Sequence, residues 1–320
     1  YGWWCVMWKD MIKFVLQSPL QVVKGIFRYR WMLTYLTLPQ FIDRQLEGMR
    51  GVQLRAGHAL YDIIIKHTID IIADSFNADQ NIGGKKSLAD RIVCFDELVP
   101  TELMAGFPNL IGIPVQTIPI FLSSMINQHI SEVYLDSIEN FGVPADVCPL
   151  PSAESGIAIE GDYPIFGKCF ISCNMPCDGS VMTSAYQDRY FKLPTYCLGV
   201  PLRYNDEVDA QEYAIEEIKG CIAFIEEQTG EKFDWAAFKT AMDKYNEVTQ
   251  FHFDLWDINR TDYPQVTGNV PWLYRMYSFH LHGGMDDRFL KADDKVRKLM
   301  EDGYKKKLPC TLEMRHKALV

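Results

Sequence analysis

The sequence predicts an α/β fold: a parallel sheet covered by helices, with a helical N-terminal extension before it and a helical C-terminal extension after it. Three observations carry this. Between residues 91 and 205 short apolar runs alternate with helical ones, the spacing of strand–helix units. Before that stretch, Leu46 through Ala73 places Leu54, Leu60, Ile64, Ile65, His67 and Ile71 near a helical period. After it, Asp209–Gln228 lines up Tyr213, Ile218, Cys221, Ile222 and Ile225 on one stripe. The expected divisions are a helical region over 1–88, an α/β domain over 89–205 and a second helical region over 206–320.

Taken in order, the Trp3–Val15 run is apolar, but Lys9, Asp10 and Lys13 break it, so it is too short to span a bilayer. It also has no basic leader or small-residue cleavage site, and no membrane partner is expected. Asn81 through Ser87 (NIGGKKS) lacks the first glycine of a phosphate-binding loop and carries Lys86 in its Ser/Thr place, so it reads as a turn. Arg91–Phe95, Pro100–Ala105 and Ile111–Ile118 open the alternating part. Ser124–Asn140 reads as a helix, Lys168–Asn174 as a strand, Ser180–Tyr190 as a helix and Tyr196–Val200 as a strand. Parallel sheets of this kind bind ligands beyond the carboxyl ends of their strands, and Cys148 and Cys177 are expected in such loops. Further on, Gly230 is a plausible C-cap and Asp234 an N-cap for a helix carrying Phe238, Met242 and Tyr245. Pro264–Pro271 interrupts; Trp272–His282 and Asp286–Tyr304 resume the helical period. The aromatic stripe Tyr245, Phe251, Phe253 and Trp256 reads as core.

Composition narrows the function. With 48% hydrophobic and 23% charged residues the chain is ordinarily globular. A net charge of −10 argues against nucleic acid, whose phosphates need a basic face to displace their counterions. Nine cysteines, an odd number scattered through apolar stretches, do not make a disulfide framework and fit a reducing, cytoplasmic setting. Cys5, Cys197 and Cys221 read as small buried hydrophobes.

Four cysteines fall between 148 and 177. Cys169 and Cys173 alternate with Ile171 and share one strand face. Cys177 follows Pro176, beyond the strand, where Asp178-Gly179 can start a helix. A thiolate there gains from free backbone N–H groups and the helix dipole. Soft thiolates select zinc, copper or iron–sulfur centres over hard cations. No C-x2-C pair of a zinc ribbon is present, nor a compact ferredoxin run. His280 and His282, two apart on a helix, do not face one ligand.

Three phrases carry a resemblance: Val99-Pro-Thr-Glu-Leu103, then Asp146-Val-Cys148, then Cys173-Asn-Met-Pro-Cys-Asp178. Pro194 through Arg203 and Ile225 through Asp234 (IEEQTGEKFD) add to them. Together they resemble the benzoyl-CoA reductase/2-hydroxyacyl-CoA dehydratase family over residues 90–320. The resemblance implies a flavodoxin/Rossmann-like α/β domain and a partnership with a homologous sister subunit. It also implies a 4Fe–4S cluster to which Cys148 and Cys177 contribute. The third cysteine ligand and a second α/β domain would lie beyond Val320, so a fragment is expected; Cys310 is a poor substitute. The implied activity is dehydration of a 2-hydroxyacyl-CoA through a ketyl radical, the electron coming from an ATP-dependent iron–sulfur activator. Alternatives in the same family setting are aryl-CoA reduction or a non-catalytic, electron-relaying partner role.

The sequence departs from the family at two places. A serine shortly before the P-x-E-L proline and a glutamate about fifteen residues after it serve substrate in family members; Glu97 and approximately Ile120 stand there instead. Glu97 and Glu102 remain candidates for the acid/base, against readings as a solvated carboxylate and a helix first-turn acid. Ser123 and Ser124 are candidates for substrate contact, against a plain helix start.

Overall fold

The computed structural model describes residues 19–47, 49–52, 54–59, 89–96, 99–115, 123–162, 167–174, 178–201, 209–265 and 287–308, together with Ile12, Val15 and Leu16. A four-stranded, all-parallel sheet forms its centre: β1 (Ile92–Phe95), β2 (Ile111–Pro114), β3 (Cys169–Cys173) and β4 (Thr195–Leu198), in the order β2-β1-β3-β4. β1 and β3 are buried at every position. That is why Ile-Val-Cys-Phe and Cys-Phe-Ile-Ser-Cys read as continuous runs without polar alternation, as strands covered on both faces do.

The chain lays helices over both faces. From β1 it passes through a 3₁₀ turn (Thr101–Gly106) to β2. Leu103, Met104 and Phe107 of this connection bury with Val93, Phe95, Cys169, Ile171, Cys173 and Leu198 in one core. The same core takes Cys221, Ile222 and Ile225 from the long helix over Asp209–Thr229, and Phe233 beyond it. The connection from β2 to β3 carries α3 (Ser123–Ile126), α4 (Glu132–Asn140) and α5 (Pro149–Glu160), and α6 (Asp178–Phe191) joins β3 to β4. Phe170, which alternates with the residues of the first core, meets Phe191 of α6 at 6.2 Å on the opposite face. Right-handed crossovers in opposite directions from β1 account for the two faces.

In the N-terminal region α1 spans Pro19–Arg28, a 3₁₀ helix Arg30–Thr37 and α2 Leu38–Leu46. It is tied to the crossover layer by a buried polar knot. Trp31 donates its indole N–H to the Asp162 carbonyl at 2.7 Å, and the Asp162 carboxylate accepts from the Tyr134 hydroxyl and from the Arg30 backbone N–H. C-terminal to the long helix over Asp209–Thr229 (α7), α8 spans Trp235–Asn259 and α9 Asp287–Lys305. The expected caps hold: Gly230 has φ +77°, and Asp234 accepts from the N–H groups of Ala236 and Ala237 at 2.9 Å each.

Four expectations need correction. Ser124–Asn140 is three pieces and not one helix: Asn127, at φ −144°, leaves the helix and its side chain accepts from His129 N–H. α5 was hidden by Pro149 and Pro151, which read as loop but are tolerated in a helix's first turn, where donors lack partners anyway. Cys197 is exposed rather than buried, because it falls on the outward position of the edge strand β4. Phe253 and Trp256 are half-exposed on α8 rather than core. The turn at 81–87, the second half of the Leu46–Ala73 helix, the Trp272–His282 helix and Cys310 lie outside the described residues.

Candidate functional site

The site is built where the connections from the sheet diverge. β1 sends its chain to one face and receives β3 from the other, so the carboxyl ends of β1 and β3 border the crevice in which doubly wound sheets bind ligands. Asp96 ends β1 there. Its N–H donates to the Ile171 carbonyl at 2.9 Å, which continues the ladder and sets Asp96 beside Ser172. Both residues are almost wholly buried. Neither was singled out from sequence; an acid placed directly after a four-residue apolar strand was the available signal.

Asn174 ends β3 and was also missed. Its side-chain amide clasps the end of β4, accepting from Val200 N–H at 2.7 Å and donating to the Val200 carbonyl at 3.4 Å. Gly199 N–H donates to the Glu217 carboxylate at 2.9 Å, securing the same turn to α7. These bonds fix the strand ends from which the segment carrying Cys177 departs. Cys177 itself lies outside the described residues; the next residue, Asp178, opens α6.

Cys148 is not in a loop beyond a strand, as expected, but is the N-cap residue of α5, in the link between α4 and α5. α5 precedes β3 in the chain. α5 packs against both α4 and α6, and Phe141, shortly before the start of α5, meets Tyr190 in the last turn of α6 at 6.3 Å. Gly156 permits the close approach of α4 and α5: a Cβ at this position would stand 2.1 Å from the Tyr134 carbonyl oxygen. Ser152, four residues into α5, donates its N–H to the Cys148 carbonyl and lines a small cleft with Leu135, Ile138, Val143 and Pro149.

The thiols sort sharply. Cys148 is exposed, whereas Cys94, Cys169, Cys173 and Cys221 are buried. Burial pushes the Cys169 and Cys221 thiols up to about 12, and that of Cys94 higher still, so all three stay protonated. Among the described residues no group of three or more His, Cys, Asp or Glu side chains gathers as for a metal ion.

The acid and hydroxyl candidates are spread along this end of the chain's path. Glu102 sits half-buried in the 3₁₀ turn that follows β1, with one carboxylate oxygen fully enclosed. Ser123 is fully buried and opens α3; Ser124 is half-buried beside it. Glu97 lies outside the described residues.

Fold and site thus define a doubly wound α/β protein with an exposed thiol at the start of a helix in its crossover layer. A family model described as the 2-hydroxyglutaryl-CoA dehydratase D-component matches residues 98–311, two thirds of the chain, and the protein belongs to that family. The family marks it as a component of a dehydratase that works with a partner subunit. No curated protein matches the chain.

Proposed function

We propose that this chain is the iron–sulfur subunit of a 2-hydroxyacyl-CoA dehydratase, with Cys148 and Cys177 as its ligands to a 4Fe–4S cluster. The observation that carries the reading is the exposed thiol of Cys148 at the start of α5, in a protein whose β1 and β3 cysteines are sealed in the core. The donors fit the group, since thiolates are the ligands iron–sulfur centres take. When bound, the cluster supplies one-electron chemistry and a Lewis-acidic iron.

The overall reaction removes hydroxide from C2 and a proton from C3 of the acyl-CoA, giving the enoyl-CoA and water. The proton at C3 is not acidic, so ordinary acid/base catalysis alone handles this elimination badly. Glu97 and Glu102 are the proposed proton carriers, and Ser123 and Ser124 the proposed substrate contacts. Buried Asp96, directly after β1, joins them as a further carboxyl group. A sister subunit would complete the site, and an ATP-dependent iron–sulfur activator would supply the electron.

A second reading makes this chain the supporting, electron-relaying half of the pair. It is favoured by Glu97 and approximately Ile120, which stand where the resembled subunits carry substrate-binding serine and glutamate.

Anaerobic reconstitution of the full-length protein tests the cluster: brown protein with absorbance near ~400 nm and ~4 iron per chain, lost in Cys148→Ala and in Cys177→Ala, is the expected result. Iron-free protein indifferent to both substitutions removes the proposal. Dehydration of an (R)-2-hydroxyacyl-CoA, assayed with sister subunit and activator, separates the two readings. Unchanged turnover in Glu97→Gln, Glu102→Gln and Asp96→Asn together assigns the chemistry to the sister.

A further inference from the structure

The N-terminal region, outside the residues that the family model matches, has a surface that the dehydratase reading does not use. On α1, Val22 and Gly25 are buried, as is Tyr29 immediately after it. Roughly opposite them, by the 100° helical step, lie Leu20, Val23 and Phe27. Phe27 is 87% exposed and Leu20 69%. The pattern continues upstream at spacings of three and four residues, where Ile12, Val15 and Leu16 are helical and exposed, Leu16 to 74%. Scattered surface leucines are ordinary, but an apolar stripe aligned along one helix face marks an interaction surface.

Charge says what covers it. From Met11 to Ile42 there is no Asp or Glu, in a chain that has 42 of them among 320 residues. The same stretch carries Lys13, Lys24, Arg28 and Arg30. Lys24 and Arg28 are the cations in the sequence of α1, and Arg28 is exposed at its end. A second copy of this chain would bring these cations against each other with no carboxylate among them to pair, which disfavours self-association through this face. An acid-free, basic-edged helix with leucine, valine and phenylalanine outward has the composition of helices that lie in the plane of a membrane interface. Among the described residues no helix is long and apolar enough to cross a bilayer. Lying on its surface is a different arrangement.

We propose that α1 and the helical residues before it dock this protein on an anionic lipid surface, the stripe entering the headgroup boundary and the cations of this acid-free stretch meeting the lipid phosphates. Each cation near such a surface strengthens binding about fivefold, and added salt weakens it. The mode is peripheral and reversible, and it leaves the carboxyl end of the sheet unused. It does not depend on the cluster.

Vesicle flotation of the full chain is the test, using phosphatidylcholine vesicles with and without about 30 mol% phosphatidylserine. The expected result is flotation with the anionic vesicles only, falling at least tenfold between ~0.1 and ~0.5 M salt. Leu20→Glu with Phe27→Glu should abolish it, and Lys24→Glu with Arg28→Glu should weaken it at least tenfold, with far-UV circular dichroism unchanged. The wild-type salt and lipid comparison stands even if a variant misfolds. Absence of flotation with anionic vesicles overturns the proposal, as does equal flotation with neutral ones. A concentration-dependent dimer that Leu20→Glu with Phe27→Glu dissociates, without vesicle binding, reassigns the face to a second copy. Binding only to an acidic protein reassigns it to that partner.

Discussion

Cys148 and the β3 cysteines belong to one short stretch of sequence and to opposite kinds of environment. Cys169 and Cys173 alternate with Ile171 on a strand face that α7 seals, and both are fully buried. Cys148 caps a helix at the surface, with no hydrogen bond from its own side chain to the helix. Spacing alone treats these thiols as equivalents. Burial makes one set part of the hydrophobic core and leaves the other accessible to a ligand, because a thiol without water around it does not readily ionise. The same split divides the supporting residues, with Gly156 deep in the helix layer and Asn174 at the rim.

The strongest way to break the contrast is to disturb the packing that places the start of α5. Gly156→Ala pushes a methyl into the Tyr134 carbonyl, which is backbone and cannot move alone. It should lower stability by about 3 kcal/mol, the upper end for overpacking, and iron retention with it. Urea midpoints measure this, and a loss under about 1 kcal/mol would mean that α4 and α5 separate freely.

Next is a paired comparison of the thiols. Cys169→Ser places a hydroxyl in the apolar core and should cost about 1–3 kcal/mol, whereas Cys148→Ser in the iron-free protein should cost less than about 0.5. Native labelling with a thiol reagent should modify Cys148 and Cys197 quickly and reach Cys94, Cys169, Cys173 and Cys221 only on unfolding. Rapid native labelling of Cys169 would erase the distinction.

Asn174→Ala removes both bonds to Val200 and should cost about 1–2 kcal/mol, with weaker iron retention than an equally destabilising core change. Equal retention in the two would reduce Asn174 to a purely structural clasp.

The smallest expected effect is a pH dependence at the far end of the layer. Burial raises the Asp162 carboxyl above its ordinary value, against the lowering influence of the Tyr134 hydroxyl. The folded protein therefore keeps this proton to higher pH than the unfolded chain does. The group's contribution to stability is greatest in acid and declines as pH rises through the shifted value. Asp162→Asn should flatten that part of the pH–stability curve; an unchanged slope would place the dependence elsewhere.

The elements most legible in the sequence were those whose pattern is local. β1 and β3 announced themselves as apolar runs, and Gly230 and Asp234 as caps whose backbone demands are met within a few residues. α5 was illegible because it is buried almost throughout, from Pro151 to Ala158, so it has no polar face to give a period. Phe253 and Trp256 misled for the opposite reason: aromatic spacing on a helix does not say which side is covered. At the site, the cysteine phrases and Glu102 could be picked out, while Asp96 and Asn174 could not. Their places come from strand pairing between segments far apart in sequence.

By itself, then, the sequence determined the α/β class, the thiol-bearing phrases and the family, because periodicity, residue type and motif spacing are properties of neighbouring residues. Tertiary structure alone decided which thiols face water. It also set Cys148 exposed at the start of α5, and left the α1 stripe open opposite its packed side. Those outcomes depend on contacts between distant segments, and burial, the term that decides them, does not exist until the chain has folded.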